Sequence, residues 1–405
     1  VQELPTVNPS GEYTTVKFSA AILVVWLAGF LAMEAGPIWI PTAQIHFGMS
    51  SVTMGAIASI QFLASALMAM FVAPRLARKP LRPVLLLAVG TICGAAIVTA
   101  AFDLPFPLFV IARVVEGGAS GICVACAAML ASRTKLPARS FGILQFSQIL
   151  MNMAVYVSST KLVVAYGLTG LYSLIAVATL IFFAVLRFSK PWVTLGLTRK
   201  VKASAADAPL PRLRILIACL GAAFVYCGFI ALVANATALG QRASLDFAHI
   251  TMVLAAGTQA AAAGALIATI FARRLPPFVF IIAASAGASF FGLLLTFTAN
   301  DFASLVVALC GVIFFIYIGF PSIFGGIARL DPSGRSAAVA QATQMFGPAL
   351  GPAVGAIIAT HSVAALAFSS AAFIVLGTLA AGVATRPVNP RQRSVVDWSP
   401  VESKT

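Results

Sequence analysis

The chain is predicted to be an all-α membrane protein: 12 transmembrane helices in two six-helix bundles related by pseudo-two-fold symmetry. Three observations carry this. Apolar stretches of bilayer-spanning length fill most of the 405 residues, positive charge gathers in alternate gaps between them, and a polar pattern recurs from one half to the other. A hydrocarbon core of about 30 Å takes about 20 residues of helix to cross. Backbone polar groups in lipid must be satisfied internally, which makes such stretches helices. Composition agrees: 60% of residues are hydrophobic and 9% charged, against about 25% charged in a soluble domain.

In order, span 1 is read over Phe18–Trp39, after Lys17; span 2 over Val52–Val72, before Arg75, Arg78, Lys79 and Arg82; span 3 over Pro83–Ala101, before Asp103. Span 4 (Phe106–Ser132) stops at Arg133, Lys135 and Arg139; span 5 (Ser140–Val164) and span 6 (Leu168–Leu186) follow. A basic linker precedes span 7 (Leu213–Leu239), which ends near Arg242 and Asp246. Span 8 (Ile250–Ala272) stops at Arg273 and Arg274, and span 9 (Pro277–Thr298) before Asp301. Span 10 (Ala303–Ala328) stops at Arg329 and Arg335; span 11 (Ser336–Thr360) and span 12 (Val363–Ala384) complete the set. The expected organisation is an N-terminal segment 1–17, an N-terminal bundle 18–186, a linker 187–212, a C-terminal bundle 213–385 and a tail 386–405.

Sidedness follows from the cations. With the N-terminus inside, the inner gaps hold nearly all of them, and the outer gaps hold Arg242, with Lys161 near a helix end. Lysine and arginine mark cytoplasmic loops, so both termini and the linker are placed in the cytoplasm, and the chain in a bacterial inner (plasma) membrane. The net charge of +15 is thus read as orientation and contact with membrane lipids, with no nucleic acid as partner. The segment up to Lys17 is polar, with Glu3 and Glu12, so no cleavable signal is expected there.

Several chemistries are excluded. The cysteines all fall inside spans; Cys123 and Cys126 make a C-x-x-C on a helix, outside the strand context of a redox motif. His46, His249 and His361 are placed in separate outer loops, without metal-ligand spacing. No nucleotide-binding glycine motif appears. No cofactor, no metal and no catalytic set is expected, and the chain is read as a monomer and not an enzyme.

The halves repeat. Arg133, Arg139, Ser140, Gln145 and Gln148 recur as Arg329, Arg335, Ser336, Gln341 and Gln344, an offset of 196 residues. Gln61 and Arg75 recur as Gln259 and Arg273, an offset of 198. Two halves in the same orientation imply parallel repeats about an axis along the membrane normal. With this pattern the chain resembles the major facilitator superfamily. On helix 4 of that superfamily an arginine followed by glycines is common; Arg113 and Gly117 match, Ala119 takes the last small position, and Glu116 stands where glutamine is usual. The basic signature between helices 2 and 3 survives as Arg75, Arg78 and Lys79, without its aspartate and glycines. Antiporters of the superfamily often carry Gly-Pro on helix 5; here Gly347-Pro348 and Gly351-Pro352 lie on helix 11.

Ionisable residues deep in a bilayer are costly and usually functional. Three stand out: Glu34, Arg113 and Glu116. Arg113 and Glu116 share a helix face, and by depth and the resemblance Glu34 is expected to reach Arg113. Desolvation favours the neutral form of a carboxylate and a nearby arginine the charged one, so an arginine that moves would switch proton binding. Polar candidates for a solute site are Gln61, Gln145, Gln148, Asn152, Tyr226, Asn235, Gln259, Tyr317, Gln341 and Gln344; the repeated glutamines are read near the cytoplasmic helix ends. The resemblance implies a secondary active transporter of a small organic solute, working by alternating access and driven by protons. Export by proton antiport is preferred; uptake of an organic anion by proton symport, clamped by Arg113, is the alternative. A transporter-like receptor is the reading from another class.

Orientation is testable in cells. Ser204→Cys in the linker should react with a membrane-impermeant maleimide only after permeabilisation, and Asp103→Cys should react in intact cells. The opposite pattern would invert the assignment.

Overall fold

The computed structural model describes residues 13–14, 20–72, 75, 81–188, 200–201, 211–235, 239–240, 243–245, 247–272, 274–297, 301–331 and 333–386. The basic residues Arg78, Lys79, Arg242 and Arg273, Asp246, most of the linker and the tail beyond Arg386 lie outside them. Among the described residues, 12 helices are long and apolar enough to cross a membrane: Ala20–Phe47, Val52–Phe71, Leu81–Ala101, Phe106–Ser132, Pro137–Ser159, Lys161–Phe188, Arg212–Ala234, Met252–Phe271, Pro277–Phe297, Phe302–Leu330, Arg335–His361 and Val363–Thr385. They keep the span numbers 1 to 12. The described residues also hold one short antiparallel pairing, Tyr13–Thr14 with Lys200–Val201.

Most boundaries fall within a few residues of the sequence expectation, and the exceptions have physical causes. Span 1 continues to Phe47 instead of ending at Trp39, broken at Ala35 into Ala20–Glu34 and Gly36–Phe47. Pro37 lies in the first turn of the second piece, where its fixed φ suits the start of a helix. Spans 5 and 6 form a single helical run whose ladder is interrupted at Gly167, φ 57° and ψ −134°. That left-handed geometry suits a residue without Cβ. His46 and His361 sit in the last turns of spans 1 and 11, and His249 in the first turn of the span 8 helix, not in loops.

Lipid tails are as apolar as leucine, so helices associate through close packing rather than through hydrophobic burial. Glycines make that packing possible. A Cβ at Gly117 or Gly121 of span 4 would collide with the backbone carbonyls of Gln61 and Ser65 on span 2. Gly29 of span 1 lies against Val124 and Ser120 of span 4. The same pairings recur in the second half: spans 2–4, 3–4 and 3–6 pack together, as do 8–10, 9–10 and 9–12. Between the halves, span 2 packs on span 11, and span 5 on span 8, where Gly142 meets Thr269.

Shifted by 196, Gln61 and Gly117 become Gly257 and Ile313, and Gly257 also packs on the Ile313 side chain.

At the end carrying the 4–5 and 10–11 loops, the halves are drawn together. Arg133 Nε donates to the Ser333 carbonyl at 2.9 Å. Phe141 stacks on Phe324, with ring centroids 5.0 Å apart. Gly334, at φ 80°, is pressed against Met129 O and Ser132 Oγ.

Replacing Gly121 by Val forces span 4 away from the Ser65 carbonyl. Overpacking of this kind costs about 1–3 kcal/mol. The expected result is a lower thermal midpoint in detergent, whereas Gly94→Val, which meets open space, should leave it near the wild-type value.

Candidate functional site

Two polar clusters occupy the N-terminal half, and both arise where the chain puts charge into an apolar helix. In the first, Glu34 ends the first piece of span 1, at the break. Span 5 presents Gln148, Asn152 and Tyr156, four residues apart and hence on one face. Gln148 Nε2 donates to Glu34 Oε1 at 2.8 Å, and Asn152 Nδ2 to Glu34 Oε2 at 3.1 Å. Tyr156 Oη donates to the Glu34 backbone carbonyl at 3.1 Å. The Trp26 indole N–H donates to Gln148 Oε1 at 2.9 Å, so the amide is oriented from behind. Both carboxylate oxygens are thus held by neutral amides, and among the described residues Glu34 has no ion pair.

The second cluster is sealed. Arg113 and Glu116 of span 4 are fully buried and paired with each other. Arg113 also donates to Tyr172 Oη at 2.7 Å and Thr99 Oγ1 at 2.9 Å. Its guanidinium lies over the Tyr172 ring at 4.2 Å and the Phe109 ring at 5.1 Å. Gln61 Nε2 reaches Glu116 Oε2 at 3.4 Å. Charge, hydrogen bonds and aromatic faces enclose the pair, although Arg113 Nε and Glu116 Oε1 have no hydrogen-bond partner among the described residues.

A small cavity lies between the halves, lined by Trp26, Phe30, Gln145 and Gln148 from one side and Tyr226, Tyr317, Phe320 and Gln344 from the other. Its volume of ≈ 10 Å³ leaves room for about one water molecule. The far wall is an aromatic nest: Tyr226 meets Phe320 at 5.3 Å and Phe229 at 5.7 Å, and Tyr317 meets Phe320 at 6.0 Å. Gln145 Oε1 has no partner among the described residues. Glu34 stands one hydrogen bond behind this wall, through Gln148.

The structure keeps some sequence expectations and redirects others. Glu34 does not reach Arg113: its carboxylate turns to span 5, while the guanidinium is taken up by Glu116, Tyr172 and Thr99. Depth along two helices says nothing about which way either side chain faces. Gln145 and Gln148 are not near a helix end; at 1.5 Å per residue they lie about 12 to 17 Å into span 5, on the cavity with Gln344. Gln341 is fully buried, and both of its amide atoms lack a partner among the described residues. Gln259 is exposed, on the stripe of span 8 that carries Met252, Leu266 and Ile270, which is the lipid-facing side. Gln61 belongs to the sealed cluster. Asn235 caps span 7, donating to Ala231 O at 2.9 Å and packing on Gly355.

Trp26, Tyr156, Thr99 and Tyr172 are contributors that sequence reasoning passed over. Trp26 had a signal, as a tryptophan far from either end of a predicted span, where the interfacial belt does not account for it. The others had none: a lone tyrosine or threonine in a span is unremarkable until its neighbour is known.

Comparison with known proteins supports this picture. The sequence description of the Major Facilitator Superfamily matches residues 20–352. The chain belongs to the major facilitator superfamily. It is an integral, multi-pass membrane protein and a transporter rather than an enzyme. In fold it is similar to FucP, a superfamily transporter captured in the outward conformation, at TM-score 0.69 and 15% identity, covering 91% of this chain and 98% of that one. The proton:xylose symporter XylE bound to 6-bromo-6-deoxy-D-glucose matches at TM-score 0.70 and 15% identity, over 89% of this chain and 93% of that one. A variant of the E. coli fucose:proton symporter FucP matches at 0.71 and 14%, over 91% and 98%. No curated protein matches the chain in sequence.

The two clusters respond differently to loss of charge. Glu116→Gln strands a buried guanidinium, which costs about 3–5 kcal/mol, and should lower the thermal midpoint sharply in detergent. Glu34→Gln removes no ion-pair partner and should leave it little changed. Equal losses would contradict the division into a sealed pair and an unpaired acid.

Proposed function

We propose that this transporter moves a small organic solute by alternating access, with a proton at Glu34 as the coupling ion. The supporting observation is the contrast between the two acids. Glu116 is neutralised where it stands, whereas Glu34 faces the inter-half region with amide partners only. An uncompensated charge in a bilayer is expensive, and a proton neutralises Glu34 without leaving a partner stranded. The titratable groups that interact with it are phenols, Tyr156, Tyr226 and Tyr317, from spans 5, 7 and 10. Arg113 and Glu116 serve on this reading as a fixed brace inside the N-terminal half, not as the switch.

The solute site is formed by Gln145, Gln148, Tyr226, Tyr317 and Gln344, with Trp26, Phe30 and Phe320, and Asn152 acts through Glu34. An aromatic wall beside a carboxylate and without a cation suits neutral or cationic amphipathic solutes, since a cation over aromatic faces is attracted to them. Competition of such a solute with the proton at Glu34 gives antiport and export. Proton symport is the second reading. It draws on the fold shared with FucP and XylE, a fucose:proton and a proton:xylose symporter. On that reading protonation prepares the site for a neutral solute; the organic-anion version loses its clamp, because Arg113 is enclosed. The termini are assigned to the cytoplasm and the chain to a bacterial inner membrane on the strength of the loop charges.

The test is a solute screen in proteoliposomes with an imposed pH gradient. A transported solute should move up the proton gradient for antiport and down it for symport. Glu34→Gln should abolish gradient-driven accumulation while exchange of labelled solute across equal pH persists. An unchanged pH response in that variant would remove Glu34 from the mechanism.

A further inference from the structure

The break in span 1 leaves a backbone acceptor with no backbone donor. In a continuous helix the Glu34 carbonyl accepts from Ile38 N–H, four residues on. Here Ile38 N donates instead to Ala35 O at 2.9 Å, and Trp39 N donates to the same oxygen at 2.9 Å. The tighter alternative, a bond from the residue three positions on, is closed as well, because residue 37 is proline and has no N–H. In a bilayer an orphaned carbonyl is unfavourable and tends to find a donor on a neighbouring helix. Its donor comes from another helix: Tyr156 Oη, at 3.1 Å.

We propose that Tyr156 is the positioning residue for the Glu34 carboxylate, its hydroxyl standing in for the helical N–H that Pro37 and the Ala35 break remove. The geometry assigns it that role for two reasons. Tyr156 continues the face of span 5 that carries Gln148 and Asn152, so one rigid helix holds both the carbonyl and the two carboxylate oxygens of the same residue. The second piece of span 1, Gly36–Phe47, begins two residues beyond that carbonyl. Its angle to the first piece is therefore set at the point where the proton binds. Proton occupancy at Glu34 changes the hold of Gln148 and Asn152 on the carboxylate. The Tyr156 bond converts that change into a change at the break rather than a free swing of the side chain. This inference rests on the reading of Glu34 as the proton site, but its central claim is about the break itself.

Amide hydrogen exchange of the segment 33–40, in the full-length protein and corrected for the intrinsic pH dependence, tests both and needs no solute. Tyr156→Phe removes only the hydroxyl. Loss of a bond worth about 1 kcal/mol should speed exchange in that segment about fivefold, and should displace the pH at which protection changes. Pro37→Ala allows the break to close into a continuous helix, in which Ile38 N–H returns to the Glu34 carbonyl, so in that background Tyr156→Phe should have little further effect; a residue that merely packs would show the same cost in both backgrounds. Wild-type exchange and an unmoved pH step in Tyr156→Phe would overturn the proposal, as would additive effects in the double variant. Glu34→Gln separates the two readings. If the wild type shows no pH step, or Glu34→Gln retains it, the proton assignment fails, while the Tyr156–Pro37 coupling is still decided by the protection factors.

Discussion

Everything in this fold answers to the cost of charge and unpaired polarity in hydrocarbon. The chain carries few ionisable groups in its spans, and the structure deals with them in two opposite ways. Arg113 and Glu116 neutralise each other inside the N-terminal half and are wrapped by Thr99, Tyr172, Phe109 and Gln61. Glu34 is given hydrogen bonds but no counter-charge. Glu116 is ion-paired but keeps one carboxylate oxygen without a hydrogen-bond partner among the described residues, whereas Glu34 has hydrogen bonds to both oxygens and no counter-charge. That asymmetry, more than burial, is the basis for proposing Glu34 rather than Glu116 as the coupling site.

The same constraint shapes the backbone. Proline is tolerable in a membrane helix only where neighbours satisfy the groups it frees. In span 1 the neighbour is span 5, whose face of Gln148, Asn152 and Tyr156 meets both the side chain and the main chain of Glu34. In span 4 the solution is different: Gly117 and Gly121 bring the helix against span 2 so closely that the polar cluster has no access from outside. Small residues and polar residues therefore do complementary jobs, the first setting helix separation and the second setting what lies between helices.

The pseudo-symmetry has the same division. Helix pairings repeat, with spans 2–4, 3–4 and 3–6 of one half answered by 8–10, 9–10 and 9–12 of the other. Chemistry does not repeat. No acid in the second half corresponds to Glu34 or Glu116, and the facing wall of the cavity is built from Tyr226, Tyr317 and Phe320. The duplicated frame thus carries charge in one half and an aromatic wall in the other, and residues of both line the cavity between them.

The residue order alone determined the number of spans, their approximate ends and their pattern of cationic gaps, because these depend on hydropathy and charge summed over about 20 neighbours. It also picked out Glu34, Arg113 and Glu116, since ionisable residues are conspicuous in apolar segments. What it left open was direction. A helix spaces its side chains by about 100° per residue, so depth is readable but facing is not until neighbouring helices are placed. Only the tertiary structure decided that Glu34 turns to span 5 instead of Arg113, that Gln61 is enclosed while Gln259 faces lipid, and that Trp26 and Tyr156 belong to the site. Those choices come mostly from contacts between different helices, 55 positions apart for Gln61 and Glu116 and 122 for Glu34 and Tyr156, which no local pattern encodes.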